Sequence, residues 1–303
     1  MELDFFIKGR ETLFGSEYSY QDSDYISFGV PYDLTSTYRI GSRYGPRAVR
    51  EASGNIELNS VVNPFSSIEN LKLHDLGDVI FCYRLSRMLR RVYNVVRLII
   101  SSGKTPIMLG GEHTFTLPAI LAILRRTQKV TLVILDAHFD LRSEYLDLKI
   151  CHATYLYHLL RRAKSRGWEI EVAVIGVRAY DKEELDNVES FGVEYFTAPN
   201  VVREREDIRK RINELTEDKM VYLSVDVDVL DPAYAPGVGN PEPLGLSLLD
   251  ALEVINSISP SASLAGLDVM EVSPLYDKGE SSLAAARLLA EVLALFSMRR
   301  VKA

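Results

Sequence analysis

The chain has 303 residues and 47% hydrophobic content, enough to bury a sizeable core, and length alone allows one large α/β unit or two smaller ones. Its 35 Lys and Arg against 42 Asp and Glu leave a net charge of −7, which argues against a nucleic-acid partner and is compatible with a small cationic substrate. Two cysteines, Cys82 and Cys151, exclude a disulfide scaffold and suit a reducing cytoplasm, and the apolar runs are too short to span a membrane.

The N-terminal MELDFFIKGRETLF carries charges where a signal peptide needs an apolar run, so neither a secretory signal nor a transit peptide is expected. No Pro/Ser/Gly-rich linker and no internal repeat divides the chain, and one domain over 1–303 is the expectation. Residues 1–24 are polar and aromatic without clear period and read as an arm or a short leading helix. Tyr25 to Pro31 reads as the first buried strand. A long loop, YDLTSTYRIGSRYGP, follows, and Gly45-Pro46 opens a helix through about Leu58, with Pro in its first turn.

From there strands and helices alternate. Strands are predicted near Lys72–Leu76, Thr105–Leu109, Val130–Leu135, Glu171–Val177, Glu194–Phe196, Met220–Val225 and Ser263–Val269. Helices are predicted near Ser86–Ile100, Thr116–Arg126, Thr154–Arg166, Lys182–Phe191, Arg205–Leu215, Leu248–Ser257 and Ser281–Met298. Apolar strands in repeated strand–helix units predict a central, mostly parallel sheet of about eight strands, covered by helices on both faces as a three-layer α/β/α sandwich.

Three strand ends carry chemistry. VILDAHFD, Val133 to Asp140, begins as a buried strand and finishes with Asp136, His138 and Asp140, which strand periodicity sends to one side. VYLSVDVDVLD, Val221 to Asp231, repeats the design with Asp226 and Asp228. TPIMLGG delivers Glu112 and His113 after a Gly pair that permits close backbone approach. Buried carboxylates in such numbers are costly unless a cation lies among them. An isolated DxH or DxD is usually a chance turn, but three at the ends of three apolar strands form a coherent set of two His and four Asp. Hard oxygens mixed with imidazole suit manganese, and six side chains exceed the needs of a closed four-coordinate zinc site. Two ions with bridging carboxylates would use them all.

These motifs resemble the arginase and agmatinase family of ureohydrolases: GGEH at Gly110–His113, DAHFD at Asp136–Asp140, SVDVDVLDPAYAPG at Ser224–Gly237 and EVSP at Glu271–Pro274, with GVPYD near Gly29 and the GPRAVR helix start in support. The resemblance spans nearly the whole chain. It implies an arginase-like fold, two Mn²⁺ per subunit, homotrimers or homohexamers, and hydrolysis of a guanidine to urea and an amine by a metal-bridging hydroxide. Carried over motif by motif, His113, Asp136, Asp140 and Asp226 would hold one ion. His138 and Asp228 would hold the other, with Asp136 and Asp226 bridging. Asp140 would also orient the hydroxide, Glu271 would pair with guanidinium nitrogens, and His152 in CHAT would move the proton to the leaving amine. Asp231 before Pro232 is expected to fix a turn, and Cys151, His74 and His158 are given no chemical role.

Within the family the chain resembles the agmatinase branch. Arginases carry an Asn shortly after DAHxD, where this chain has Arg142 in DLRSEYLDLKICHAT, and PEP at Pro241–Pro243 is agmatinase-like. The resemblance thus implies cleavage of agmatine to putrescine and urea, a polyamine-biosynthetic step, with arginine or a guanidino acid such as guanidinobutyrate as the alternative substrate. Arg142 could meet a carboxylate, and Asp181 falls near the position where arginases contact the α-amine, although Asp181-Lys182-Glu183-Glu184 also has the form of a helix cap. A DxD magnesium phosphohydrolase would leave His113 and His138 unexplained. A metal-binding relative without turnover would leave His152 and Glu271 without purpose.

Overall fold

The structure, a computed structural model, describes residues 11–301, so the expected arm is described only from residue 11 onward. There the backbone is irregular, with one 3-10 turn at Leu13–Gly15. Eight strands follow: β1 (Tyr25–Gly29), β2 (Leu73–Asp78), β3 (Thr105–Leu109), β4 (Lys129–Leu135), β5 (Glu169–Val177), β6 (Glu194–Thr197), β7 (Met220–Asp226) and β8 (Ser263–Met270). The helices are α1 (Gly45–Ser53), α2 (Leu85–Ser101), α3 (Thr116–Thr127), α4 (Tyr155–Arg166), α5 (Lys182–Phe191), α6 (Ala198–Arg203), α7 (Arg205–Thr216), α8 (Leu248–Asn256) and α9 (Glu280–Val301).

All eight strands join one sheet, ordered β2-β1-β3-β8-β7-β4-β5-β6, and every pairing is parallel. Parallel strands need crossover connections, and the helices that supply them bury both faces of the sheet. One apolar layer gathers residues of α2 to α5, among them Val92, Ile120, Leu156 and Val188. The other gathers α1 and α6 to α9, among them Val49, Val201, Ile212, Ile255 and Leu289. No helix among the described residues is long and apolar enough to cross a membrane.

Two local predictions differ from the structure. Helix α1 ends at Ser53 and not near Leu58, because Gly54 closes it and residues 54–72 run as loop with only isolated bridging. Helix α6 was not anticipated. It is one and a half turns long, capped by Thr197 Oγ1 accepting from Asn200 N at 3.3 Å, with Pro199 in its first turn.

What places the site is the sheet order. Strands β3, β8, β7 and β4 are adjacent, and β4 and β7 pair with Leu135 opposite Val225, so Asp136 and Asp226 leave the sheet at one level. The chain passes from β3 to β4 across two intervening strands. Such reversals open the crevice in which doubly wound folds bind ligands.

At the far side of the sheet, α1 is tied to β2 by a buried charge cluster. Arg50 grips Asp75 with Nε and Nη2 at 2.7 and 3.0 Å and reaches Asp78 with Nη1 at 2.6 Å. Burial pushes the Asp75 carboxyl up, but the Arg50 guanidinium outweighs it and holds Asp75 below its ordinary range. Arg50→Met leaves a buried carboxylate uncompensated and is expected to cost roughly 3–5 kcal/mol in denaturant unfolding at pH 7. Because the Asp75 pKa is depressed in the fold, its stabilising contribution is present above the unfolded value of about 3.9 and fades as pH falls toward the folded one. The gap between wild type and variant should therefore narrow on acidification. An equal gap at pH 7 and pH 3.5 would contradict this account.

Candidate metal centre and substrate cavity

The Gly110-Gly111 pair is there for space. A Cβ on Gly110 would run into Met270, and one on Gly111 into the Tyr32 carbonyl. This close approach lets β3 deliver His113 to the sheet edge, fully buried, with Nδ1 3.0 Å from Asp136 Oδ2, 3.1 Å from Asp226 Oδ2 and 3.3 Å from Asp140 Oδ2. His138 Nδ1 lies 3.2 Å from Asp228 Oδ2 and 3.5 Å from Asp136 Oδ1. The six residues singled out from sequence as ligands therefore converge, and Asp136 belongs to both halves of the cluster.

Strand pleating is not what brings them together. Strand β4 ends at Leu135, before any of the three groups. Instead Asp136 Oδ1 accepts the His138 N–H at 2.7 Å, and Asp226 Oδ1 accepts the Asp228 N–H at 2.9 Å, the same Asx turn at both strand ends. Each turn leaves the second carboxylate oxygen facing His113. Asp140 then swings inward on a left-handed backbone, φ 55°, and Glu271 after β8 does likewise at φ 63°. Of the eight described non-glycine residues at positive φ, these two are site carboxylates, and the tightly bonded surroundings keep them there.

The electrostatics state what the cluster lacks. Burial, and then the neighbouring Asp136, raises Asp140 to about 7; burial with Asp228 and Asp136 pushes Asp226 well above the carboxylate range. Asp136 alone is held low, because hydrogen bonds from His113 and His138 outweigh its burial. His113 and His138 are raised despite burial, His113 chiefly by Tyr155 and the carboxylates around it, His138 by Asp228 and Asp136. A cluster this acidic retains protons where cations would otherwise balance it. His113 Nδ1 points into the oxygens of Asp136, Asp140 and Asp226. Imidazole nitrogens and hard carboxylate oxygens in two overlapping sets fit divalent cations of the manganese type.

Behind His113 lies support that sequence reading passed over. Its Nε2 meets Ser224 Oγ at 2.9 Å and Tyr155 OH at 3.1 Å. Ser224 Oγ donates to Asp268 Oδ1 at 2.5 Å, and Tyr222 OH and Thr116 Oγ1 donate to Oδ2 at 2.7 and 2.8 Å. This buried chain sets the imidazole's orientation. The one available signal was Asp268, a lone carboxylate inside the apolar run of β8. Arg178 was missed as well. Its guanidinium donates to six backbone carbonyls, including those of Asp228 at 2.6 Å, Val229 at 3.2 Å and Glu242 at 2.8 Å, and so pins the segment after β7 and the Glu242 segment to the end of β5.

A cavity of about 400 Å³ opens above the cluster, reaching His138 and Asp140 at its floor and His152, Arg142, Tyr145, Glu184 and Asn240 along its walls. His152 Nε2 lies 3.3 Å from Thr37 Oγ1 and 3.4 Å from Asn240 Nδ2. Burial, with His138 nearby, lowers His152 to about 4, so the ring is neutral at pH 7. Thr37 arrives on the long loop after β1, which is anchored by Glu112. That carboxylate accepts from Thr35 N at 2.8 Å, Thr35 Oγ1 at 2.5 Å and Thr114 Oγ1 at 2.7 Å. Glu271 does not line the open cavity. It sits deeper, with Oε1 accepting from His113 N at 2.8 Å and Oε2 on the side of Gly239.

At the outer wall Arg142 Nε contacts Asp181 Oδ2 at 2.9 Å, Nη2 lies 3.4 Å from Glu184 Oε2, and the guanidinium stacks 4.6 Å from the Tyr145 ring centre. Asp181 accepts from Glu184 N at 3.0 Å and Glu184 reaches back to Asp181 N at 3.3 Å, so the helix-cap reading of this segment holds. Cys151 is buried with a free thiol, and Asp231 accepts from Ala233 N and Gly245 N as a turn-fixing carboxylate.

The parallel sheet and the carboxylate cluster at its C-terminal edge define a ureohydrolase of the arginase type. Residues 23–295 match the arginase family, and the chain belongs to it. It is 36% identical to the guanidinobutyrase of Pseudomonas aeruginosa over 88% of this chain and 84% of that one, and 31% identical to the agmatinase of Bacillus anthracis over 91% and 92%. The crystal structure of agmatine ureohydrolase from Thermoplasma volcanium superposes with a TM-score of 0.85 at 35% identity, covering 100% of this chain and 99% of that one.

Ser224→Ala removes the hydroxyl between His113 and Asp268. It is expected to weaken divalent-cation affinity by roughly 10- to 100-fold, measured by equilibrium dialysis against manganese. Unchanged affinity would mean that Tyr155 alone orients the ring.

Proposed function

We propose that this ureohydrolase cleaves agmatine to putrescine and urea with two manganese ions held by His113, Asp136, His138, Asp140, Asp226 and Asp228. The observation that carries the substrate assignment is the state of Arg142: its charge is already answered by Asp181 and Glu184. With two carboxylates set against that one cation, and Glu242 beside them, the cavity wall stays acidic and suited to a substrate that is cationic at both ends.

When bound, such ions supply Lewis acidity and a water nucleophile ionised near neutral pH. The chain's own groups do the rest. The guanidinium carbon is deactivated by resonance, so the substrate must be held with that carbon over the cluster. Glu271 has Oε2 free to accept from a guanidinium nitrogen, because Oε1 is engaged by the His113 amide. Asp140, turned inward by its left-handed backbone, accepts a hydrogen bond from the attacking water and fixes its approach. Water adds to the carbon, and the C–N bond to the alkyl nitrogen breaks once that nitrogen is protonated. His152, neutral and held between Thr37 and Asn240, takes up the proton released by the attacking water and hands it to the departing amine.

A guanidino acid is the second reading, favoured by the presence of Arg142 in the wall and by the guanidinobutyrase relative. Its carboxylate would have to displace Asp181 from Arg142.

His152→Ala is expected to lower kcat by roughly 10²- to 10⁴-fold with manganese content retained; loss of an ion from the variant would make His152 a ligand instead. Asp136→Ala combined with Asp226→Ala should abolish manganese binding. Steady-state kinetics on agmatine, arginine, 4-guanidinobutyrate and 3-guanidinopropionate should give the highest kcat/KM for agmatine, and Arg142→Ala should leave that value within about threefold, as expected for an exposed ion pair. A carboxylate-tailed guanidine that wins in the wild type and loses its advantage in Arg142→Ala would replace agmatine with a guanidino acid.

A further inference from the structure

Helices α2, α3 and α4 pack side by side on one face of the sheet and carry an unusual charge pattern. Together they contain ten Lys and Arg and not one Asp or Glu, in a chain whose net charge is −7. Between them lies a second cavity of about 470 Å³, within the range of small-molecule sites. Its floor is apolar, built by Leu89 and Tyr93 of α2, Leu117 and Leu121 of α3, and Ile150. Its rim carries Arg90, Arg161 and Arg162, all exposed, and among the described residues none of the three has a carboxylate within ion-pair distance.

The cavity shares a wall with the substrate cavity. The segment after Asp140 contributes Arg142, Tyr145 and Leu146 to the substrate side, then turns back through the Tyr145–Leu148 bridge and contributes Ile150 to the second cavity, immediately before Cys151 and His152. His158 of α4, also in the second cavity, binds the Ser143 carbonyl through Nε2 at 3.2 Å and so holds the start of the same segment.

We propose that this cavity is a second binding site, for an amphipathic organic anion with an acidic group at one end and an aromatic or hydrocarbon body, and that its occupant steadies the 141–152 segment that carries His152. The apolar floor takes the body and Arg90, Arg161 and Arg162 take the acid. A second copy of the chain docking face to face is disfavoured, because a two-fold contact through this cavity would set Arg90, Arg161 and Arg162 against the same three cations. Bound ligand would pack against Ile150 on one side while substrate contacts Tyr145 and Arg142 on the other, which gives the two sites a common element through which to couple.

The test uses three probes on the full-length protein loaded with manganese. The fluorescent anion 8-anilinonaphthalene-1-sulfonate supplies both features, N-phenyl-1-naphthylamine supplies the body without charge, and inorganic phosphate supplies charge without body. The sulfonate should bind saturably at one site per chain, and Arg161→Ala with Arg162→Ala should weaken it roughly tenfold while leaving the uncharged probe unaffected. Phosphate should compete only weakly. Saturating sulfonate should also slow amide hydrogen exchange across residues 141–152 in the wild type and not in the double variant. Absence of saturable binding, or equal affinity in wild type and variant, overturns the site; binding that leaves exchange in 141–152 unchanged overturns the coupling. Were the substitutions to dissociate an oligomer without altering probe affinity, this face would be a subunit contact and the proposal would fall.

Discussion

Four aspartates and His113 stand buried, with the partly exposed His138, within a few ångströms of one another at the C-terminal edge of the sheet, and most of the surrounding structure exists to tolerate that charge. Carboxylates packed so closely resist simultaneous ionisation, which is why burial and mutual repulsion push Asp140 and Asp226 upward and why the two imidazoles are drawn toward their protonated forms. A divalent cation removes the conflict. Because the protonated and cation-bound states compete for the same oxygens, cation affinity and pH are linked in this fold. The adjacency of β3, β8, β7 and β4 is the topological expression of the same demand, since only neighbouring strand ends bring donors from three separate stretches of chain to one point, with Glu271 arriving beside them from a fourth.

Holding the donors in place costs backbone strain, and the compensation is visible. Asp140 and Glu271 both sit at positive φ. Arg178 spends its guanidinium on carbonyls of the end of β5 and of the segments that follow β7, and Glu112 spends its carboxylate on the loop that carries Thr37. Glu112 is fully buried and Arg178 partly so, and each meets several protein hydrogen-bond partners, the condition under which burying a charge is tolerable. Their function is positional. They transfer the rigidity of the sheet to segments that have no secondary structure of their own.

Much of this could be read in the sequence, for a physical reason. Strands buried on both faces are continuous apolar runs, and the carboxylates that break such runs at their ends stand out against them, so Asp136, Asp226 and the eight strands were all accessible to inspection. The missed features depend on sheet order or on a single residue. Asp268 lies within β8, and its relation to His113 arises only because β8 and β7 pair with Ser224 opposite Asp268. The expected pleating of Asp136, His138 and Asp140 onto one side gave the right convergence through the wrong local geometry; Asx turns did the work once β4 had ended. The short helix α6 did carry a signal, Thr197 followed by Ala198-Pro199, but six residues show no periodicity to confirm it.

In the proposed function the two ends of the substrate are under different control. The guanidine end faces groups fixed by strand termini and buried hydrogen bonds, where any change disturbs the cluster. The far end faces Arg142, Glu184 and the Asn240–Glu242 segment, which belong to loops and one helix cap. Asp181 is central to that difference. As the cap of α5 it is placed whether or not substrate is present, so its hold on Arg142 carries no translational cost, whereas a substrate carboxylate competing for the same guanidinium must bear one. Preference for an uncharged or cationic tail can then arise without any group that recognises the tail directly. The same logic locates the change that would convert specificity: loosening Asp181 from Arg142 would free a cation in the cavity wall while leaving the metal cluster untouched.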